Sequence, residues 1–338
     1  MRRIFSRLYG NEDIKSRLGA AILSSRQNHA LLICGPDGSG KRTLAKEISA
    51  ALNCENKSIE NFSLPCGVCN TCRRIYSDNF TDIKTLSREA SKATIGVEEL
   101  RAFREDMFLS ATESEHKIYI IEEADKLTAN AQNALLKVLE EPPSNVMILL
   151  LCAESDKILT TIKSRTQLIT MQRFSAEKIA EYLKDKSITA SFDGERLKND
   201  VMSADGRIGR AIEIIENPAE VEESRKTTVD IVSALKTGAS YSELYTAINA
   251  LPQKRAELGE ALSEILLAIS DLIKIKLAKN GPLSFFSTAE AAQKASDGIT
   301  LKKLLSVYDA IMSAIEDNSK NAGISALITC LGAKIKLI

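Results

Sequence analysis

Gly35-Pro36-Asp37-Gly38-Ser39-Gly40-Lys41-Arg42 decides how this chain is read. The stretch follows an apolar run, Ala30-Leu31-Leu32-Ile33-Cys34, and precedes a helical pattern over Thr43 to Asn53. Gly-x-x-x-x-Gly-Lys between a buried strand and a helix is a phosphate-cradling loop, because its glycines let backbone N–H groups close around phosphate oxygens at a helix N-terminus. Gly35, Gly38 and Gly40 supply the turns, and Lys41 would reach the outer phosphates of a nucleotide. Position 42 departs from the pattern. A Ser or Thr hydroxyl there ordinarily ligates magnesium, and Arg42 brings a cation to that place instead, so hydrolysis is expected to be impaired. Thr43 is turned about 100° around the helix and is a poor substitute. The alternative is that Arg42 swings to solvent and a water replaces the hydroxyl.

The second nucleotide signature is a strand ending in acidic residues, and Lys117-Ile118-Tyr119-Ile120-Ile121-Glu122-Glu123-Ala124-Asp125 fits with one change. Glu122 stands where a metal-linked Asp is usual, and its extra methylene displaces the carboxylate by roughly an ångström, enough to upset octahedral magnesium geometry. Glu123 occupies the place of a water-activating base. The competing reading is that acidic residues merely cap a buried strand. At the end of the following strand, Leu149-Leu150-Leu151-Cys152-Ala153 offers a thiol and a methyl where a polar group is expected near the γ-phosphate. Three coinciding weakenings argue for weak ATP turnover or none by the chain alone, while leaving ATP and magnesium open as ligands.

Around this motif the first 172 residues alternate apolar strands with helical stretches, the pattern of a parallel sheet with helices on both faces. Strands are expected at Ala30 to Cys34, Asp82 to Leu86, Lys117 to Ile121 and Val146 to Cys152. Helices are expected at Thr43 to Asn53, Val97 to Met107 and Ala129 to Glu140, the last stopped by Pro142-Pro143. From residue 173 to 222 helical periodicity takes over, opened by Ser175 and punctuated by Gly194, Gly206 and Pro218. Residues 223 to 338 read as wholly helical, with apolar spacing of three and four in Leu258 to Leu277 and Leu301 to Ile315. The fold class is an α/β phosphate-loop domain followed by two helical domains.

With 338 residues, 45 Lys+Arg and 45 Asp+Glu, the formal net charge is zero, so no global field draws the chain onto nucleic acid or a membrane. The longest apolar run, Val146 to Ala153, falls far short of the roughly 18 residues that span a bilayer. The N-terminus lacks an apolar signal core, and a cytoplasmic location is expected. Seven cysteines are then expected reduced. Cys54, Cys66, Cys69 and Cys72 form a Cys-x11-Cys-x2-Cys-x2-Cys arrangement, with Pro65 and Gly67 as turn formers. Four sulfurs suit a closed, structural tetrahedral zinc site, the alternatives being an iron–sulfur cluster or free buried thiols. Cys34, Cys152 and Cys330 read as small core residues. His29 and His116 flank strands without a catalytic pattern.

Taken together, GPDGSGKRT (35–43), the four-cysteine insertion (54–72), IIEEADKLTANAQNALLKVLEEPPSNVMILLL (120–151) and IKSRT (162–166) resemble the bacterial clamp-loader subunits of DNA polymerase III, most nearly the delta-prime type. The resemblance is specific over residues 1 to 215. It implies an AAA+ domain, a helical lid at 173–222 and a helical collar at 223–338 that joins delta and gamma/tau subunits in a hetero-pentamer. That assembly places a ring-shaped sliding clamp on primed DNA, so DNA is an indirect partner and the chain works within the polymerase holoenzyme. Zinc held by Cys54, Cys66, Cys69 and Cys72 is a trait of the family.

The family's Ser-Arg-Cys motif lends an arginine to a neighbour's ATP site, and here the matching residues are Ser164-Arg165-Thr166. The resemblance makes Arg165 a catalytic group acting in trans; read locally, the same residue is a surface ion-pair partner. The lid turn that senses γ-phosphate in relatives matches Ser203 to Ala211, with Gly209 at the sensor position and Arg207 and Arg210 beside it. Lys137, on the helix that faces the central chamber in relatives, is a candidate for touching DNA phosphates. The expected function is a stator-like subunit. A gamma/tau-type motor, holding magnesium through water and Glu123, is the alternative. A zinc-stapled DNA-binding module is disfavoured by the balanced charge.

Overall fold

A computed structural model describes residues 3–57, 63–89, 92–186, 201–236, 240–278, 283–286, 288–319 and 322–337. Two compact units emerge, the first comprising Met1–Phe174 with Arg207–Gly209 and the second Ser175–Gly206 with Arg210–Ile338.

The first unit is a five-stranded sheet of β1 (Ala30–Cys34), β2 (Ile83–Leu86), β3 (Lys117–Ile121), β4 (Val146–Cys152) and β5 (Gln167–Thr170), in the order β2-β3-β4-β1-β5. Every pairing is parallel. The three inner strands are buried along their whole length and, apart from Lys117 and the Tyr119 hydroxyl in β3, apolar, as suits strands covered on both faces. The two outer strands are shorter and only partly buried. Successive side chains alternate between two cores. Leu31 and Ile33 of β1 meet Leu44, Ile48 and Leu52 of α2 (Lys41–Leu52) and Leu18 of α1 (Glu12–Leu23) on one face. On the other, Leu32, Tyr119, Ile148 and Leu150 pack with residues of the helices covering that face. These include Leu100 of α4 (Val97–Met107) and Leu135 and Leu139 of α5 (Ala129–Glu140). A short α3 (Asn70–Tyr76), N-capped by Cys69, carries the last cysteine of the run, Cys72, and α6 (Thr160–Lys163) leads into β5.

One strand was not expected, and two expected elements shift. β5 escaped the sequence reading because four residues, Gln-Leu-Ile-Thr, are too short to display a period. β2 starts one residue later than expected because Asp82 turns aside, its carboxylate accepting backbone N–H bonds from Thr112 (2.8 Å), Glu113 (2.8 Å) and Ser114 (2.9 Å). α2 starts at Lys41, two residues early, because Gly40 at φ 94° already turns the chain into the helix.

The second unit is helical: α7 (Ala176–Asp185), α8 (Ile208–Glu216, whose first two residues group with the first unit), α9 (Pro218–Ala234), α10 (Tyr241–Asn249), α11 (Arg255–Lys276), α12 (Ala289–Ser296), α13 (Leu301–Ser319) and α14 (Ile324–Lys336). Ser175 caps α7, its Oγ accepting the Lys178 N–H at 3.5 Å. Leu258, Leu262, Ile265, Ile269 and Leu272 form one stripe of α11 and share a core with Leu304, Val307 and Ile311 of α13. Cys330 contradicts the expectation of a core thiol. It is exposed on α14, because Leu327, Ile328 and Leu331 turn the opposite face of that helix inward. Gly194, expected to punctuate the lid, lies outside the described residues. Among the described residues no helix is long and apolar enough to cross a membrane.

A candidate nucleotide site and a four-cysteine centre

The phosphate loop leaves the carboxyl end of β1 in mid-sheet, where open parallel sheets bind their ligands. Gly35 N–H donates to Cys152 O at 3.1 Å, tying the loop to β4. Gly38 and Gly40 hold φ of 76° and 94°, a left-handed region that only glycine enters cheaply. Lys41 folds back over the loop, its Nζ donating to Gly35 O (2.6 Å), Pro36 O (3.1 Å) and Asp37 Oδ1 (3.0 Å). Gly209, the expected sensor position, donates its N–H to Gly38 O at 2.9 Å. A Cβ there would stand 2.8 Å from Gly38 Cα, so the approach requires a glycine.

Arg42 and Glu122, the two positions that flank magnesium in phosphate-loop hydrolases, bond directly to each other. Arg42 donates Nε to Glu122 Oε1 and Nη2 to Glu122 Oε2, both at 2.5 Å, and Ser87 Oγ adds a bond to Oε2 at 2.8 Å. Burial pushes the Glu122 carboxyl up, but the bonds from Arg42 and Ser87 outweigh it and leave it below the usual carboxylate range. The same bond raises the Arg42 guanidinium. Glu123, expected as a base, is paired with Arg88 through Nε (3.0 Å) and Nη2 (3.3 Å) and sits at φ 49°. Asp125 Oδ1 accepts the Ala153 N–H at 3.1 Å. Thr43 follows in the first turn of α2, while the bonds of the site run through its neighbours Lys41 and Arg42.

At the end of β4, where a polar group was expected, Cys152 is buried and its Sγ lies 2.7 Å from that of Cys34, its partner in the β1–β4 register. The bond lowers the Cys34 thiol and raises that of Cys152. Both are core residues, as their apolar neighbours suggested.

The insertion brings Cys54, Cys66, Cys69 and Cys72 together, all four buried and their sulfurs within 4.8 Å of one another. A tetrahedral ion with zinc–sulfur bonds of about 2.3 Å sets its sulfurs about 3.8 Å apart. Cys66 and Cys72 Sγ stand at 3.9 Å. Backbone N–H groups of Cys66, Cys69 and Cys72 donate at 3.4 Å to the sulfurs of Cys54, Cys66 and Cys69 respectively, the support that a thiolate ligand needs. The donor set therefore fits zinc. Without a cation the cluster favours one thiolate: a bond from Cys72 brings Cys54 down to about 5, while burial raises Cys69 and the bond to Cys54 raises Cys72. Ala50, Ile75 and Phe80 complete a small core around the sulfurs.

Arg165 follows the end of α6, half-buried, with Nη2 2.7 Å from Glu140 Oε1 and Nη1 donating to Thr161 O (3.0 Å) and Ser164 Oγ (3.1 Å). Lys137 is exposed on α5. Arg210 is engaged within the helical unit, its Nη1 2.8 Å from Glu213 and 3.0 Å from Glu260, and Arg207 precedes Gly209 at the start of α8. Sequence reasoning missed Ser87, Arg88 and the role of Glu140. Residues just past the carboxyl end of each parallel strand converge on the ligand crevice. That rule singles out Ser87 and Arg88, directly after β2.

A family model for "DNA polymerase III, delta subunit" matches residues 10–175. The tau subunit of DNA polymerase III from Bacillus subtilis is 27% identical over 324 residues, 90% of this chain and 56% of that protein. The delta' subunit of the same organism is 25% identical over 310 residues, 91% of each. A gamma/tau subunit from Mycobacterium bovis is 34% identical over 162 residues, 48% of this chain and 27% of the relative. The chain thus spans about half or less of the length of its tau and gamma/tau relatives. A gamma subunit-related protein of Thermotoga maritima, known from its crystal structure, aligns at 19% identity and TM-score 0.44, covering 95% of this chain and 98% of that one. Residues 10–175, a five-stranded parallel sheet carrying the phosphate loop, match the DNA polymerase III delta subunit family, and the sequence relatives support a clamp-loader subunit.

Proposed function

We propose that the chain is a delta-prime-like stator of the clamp loader, lending Arg165 to the ATP site of an adjoining subunit while turning over little ATP itself. The observation that carries this reading is the direct Arg42–Glu122 pair, which occupies the two side chains that magnesium-dependent hydrolysis requires. Glu123, held by Arg88, is equally spoken for. Arg165, in contrast, has among the described residues its ion pair with the partly exposed Glu140, beside bonds to Thr161 O and Ser164 Oγ, and a γ-phosphate replaces that pair with a stronger charge-assisted contact. A planar guanidinium placed there stabilises charge developing on a transferring phosphoryl group.

In this reading residues 173–222 serve as lid and residues 223–338 as collar. The partners are delta and gamma/tau subunits in a hetero-pentamer, acting in the cytoplasm on a sliding clamp and primed DNA. Lys137 contributes a phosphate contact and no sequence specificity. Cys54, Cys66, Cys69 and Cys72 would hold zinc, which supplies a structural tie and, with four protein ligands, leaves no position for substrate.

The test is a reconstituted loader carrying this chain. Arg165→Ala is expected to lower turnover at the site it serves by about tenfold or more. Lys41→Ala is expected to change ATPase activity less than about twofold, since uniform loss of a non-hydrolysing site removes no transition-state contact. Equal losses from both changes sink the stator reading. The 34% identity to a gamma/tau subunit over 162 residues favours a second reading, a motor ATPase. DNA-stimulated ATP hydrolysis by the purified chain would establish that one instead.

A further inference from the structure

We infer that the phosphate loop of this chain binds a nucleoside polyphosphate without a divalent metal, the Arg42 guanidinium standing where the metal ordinarily does. The inference deepens the stator reading and rests on its account of the same loop.

Two sets of contacts carry it. The first concerns the metal. Magnesium demands near-ideal octahedral oxygen geometry at about 2.0–2.1 Å and reaches a phosphate-loop site through the residue after the lysine and the carboxylate closing the neighbouring strand. Here those two side chains meet in a fork-to-fork pair at 2.5 Å, and Ser87 takes a further position on the carboxylate. Both Glu122 oxygens are thus engaged, and a cation entering between the pair would face the positive guanidinium. A guanidinium has five N–H donors and spends two on Glu122. The remaining three belong to a side chain that is 69% exposed at the mouth of the loop, where phosphate oxygens would lie.

The second set concerns the anion. The left-handed Gly38 and Gly40 shape a concave backbone that opens onto the N-terminus of the 12-residue α2, a concentration of N–H groups and positive dipole. Ser39 is 5% exposed, and its Oγ has no hydrogen-bond partner among the described residues. That hydroxyl lies inside the loop, 2.9 Å from where a Cβ on Gly35 would stand. A buried hydroxyl left unpaired costs free energy that a phosphate oxygen accepting its proton would return. Lys41 is closed over the loop by Gly35 O, Pro36 O and Asp37, and the last, its side chain 85% exposed, is a screened and easily exchanged partner. Anion-binding groups are retained while the metal's two protein contacts are spent on each other.

The experiment is calorimetric titration of the full-length, zinc-loaded chain with ATP, in buffer stripped of magnesium by ion exchange and in buffer containing it. Wild type is expected to bind with dissociation constants that differ less than about threefold between the two buffers. Arg42→Thr, which restores the hydroxyl and frees Glu122, is expected to bind at least tenfold more tightly with magnesium than without. Wild-type binding that strengthens threefold or more with magnesium overturns the inference. So does the absence of binding at millimolar ATP in both buffers, an outcome that leaves the stator reading intact because a stator requires no nucleotide of its own. An Arg42→Thr protein as indifferent to magnesium as wild type overturns the assignment to Arg42. Should that variant fail to fold, the paired wild-type titrations still decide. A loader in which Arg165→Ala is harmless refutes the stator and leaves the magnesium result untouched.

Discussion

Zinc should stabilise the sheet-containing unit with a slope that can be calculated before its affinity is known. The four sulfurs are buried and within 4.8 Å of one another, a donor set assembled by folding and absent from the unfolded chain. A ligand that binds only the folded state adds RT ln(1 + [L]/Kd), so each decade of free zinc above Kd contributes about 1.4 kcal/mol. For a unit of this size, 1 kcal/mol moves the melting temperature by about 2–4 °C, giving about 3–6 °C per decade. The assay is scanning calorimetry in zinc-buffered solutions, with released metal followed by a colorimetric chelator. Cys72→Ser supplies the control. Cys72 is wholly buried and its sulfur lies 3.9 Å from that of Cys66, so an oxygen in its place keeps the shape of the core but breaks the sulfur set. The variant should melt at one temperature whatever the free zinc. A wild-type melting temperature that stays flat across several decades, with metal demonstrably leaving the protein, would refute the reasoning.

Two further outcomes are expected. Tyr119 is fully buried and donates its phenol to Asp106 Oδ2 at 2.6 Å, so Tyr119→Phe should cost about 1.5–3 kcal/mol in urea unfolding; a loss below about 0.5 kcal/mol would mean that Asp106 finds another donor. The Glu122 carboxyl is held below its unfolded value by Arg42 and Ser87 against the opposing effect of burial, so its pair adds stability at neutral pH and loses it as pH falls through the carboxylate range below about pH 4. With Arg42 largely exposed, the difference between wild type and Glu122→Gln should be about 1 kcal/mol at pH 7 and shrink as pH falls below the ordinary carboxylate range; a difference that does not shrink in acid would show that the pair is not its source.

Much of the site was legible because the elements that carry it are local in sequence. Gly35, Gly38, Gly40, Lys41 and Arg42 fall within eight residues, and three of the four cysteines within seven. Their spacing alone places them together. The inner strands announced themselves through unbroken apolar runs, whereas β5, four residues on a sheet edge, offered no such signal. Cys330 was misread because one helical turn contains both faces, and only packing selects which of them is covered. The bonds Arg42–Glu122, Arg88–Glu123 and Arg165–Glu140 span 80, 35 and 25 positions by the residue numbers, beyond what any local pattern encodes.

From its amino acids alone, the polypeptide specified a phosphate-loop sheet, a four-sulfur centre and a helical C-terminal half, since periodicity, glycine placement and cysteine spacing are properties of neighbouring residues. Whether Arg42 turns to solvent or to Glu122 was decided only when the parallel sheet brought the carboxyl ends of β1 and β3 within reach of each other. Charge pairing between those ends depends on distance in space, and the sheet is what sets that distance.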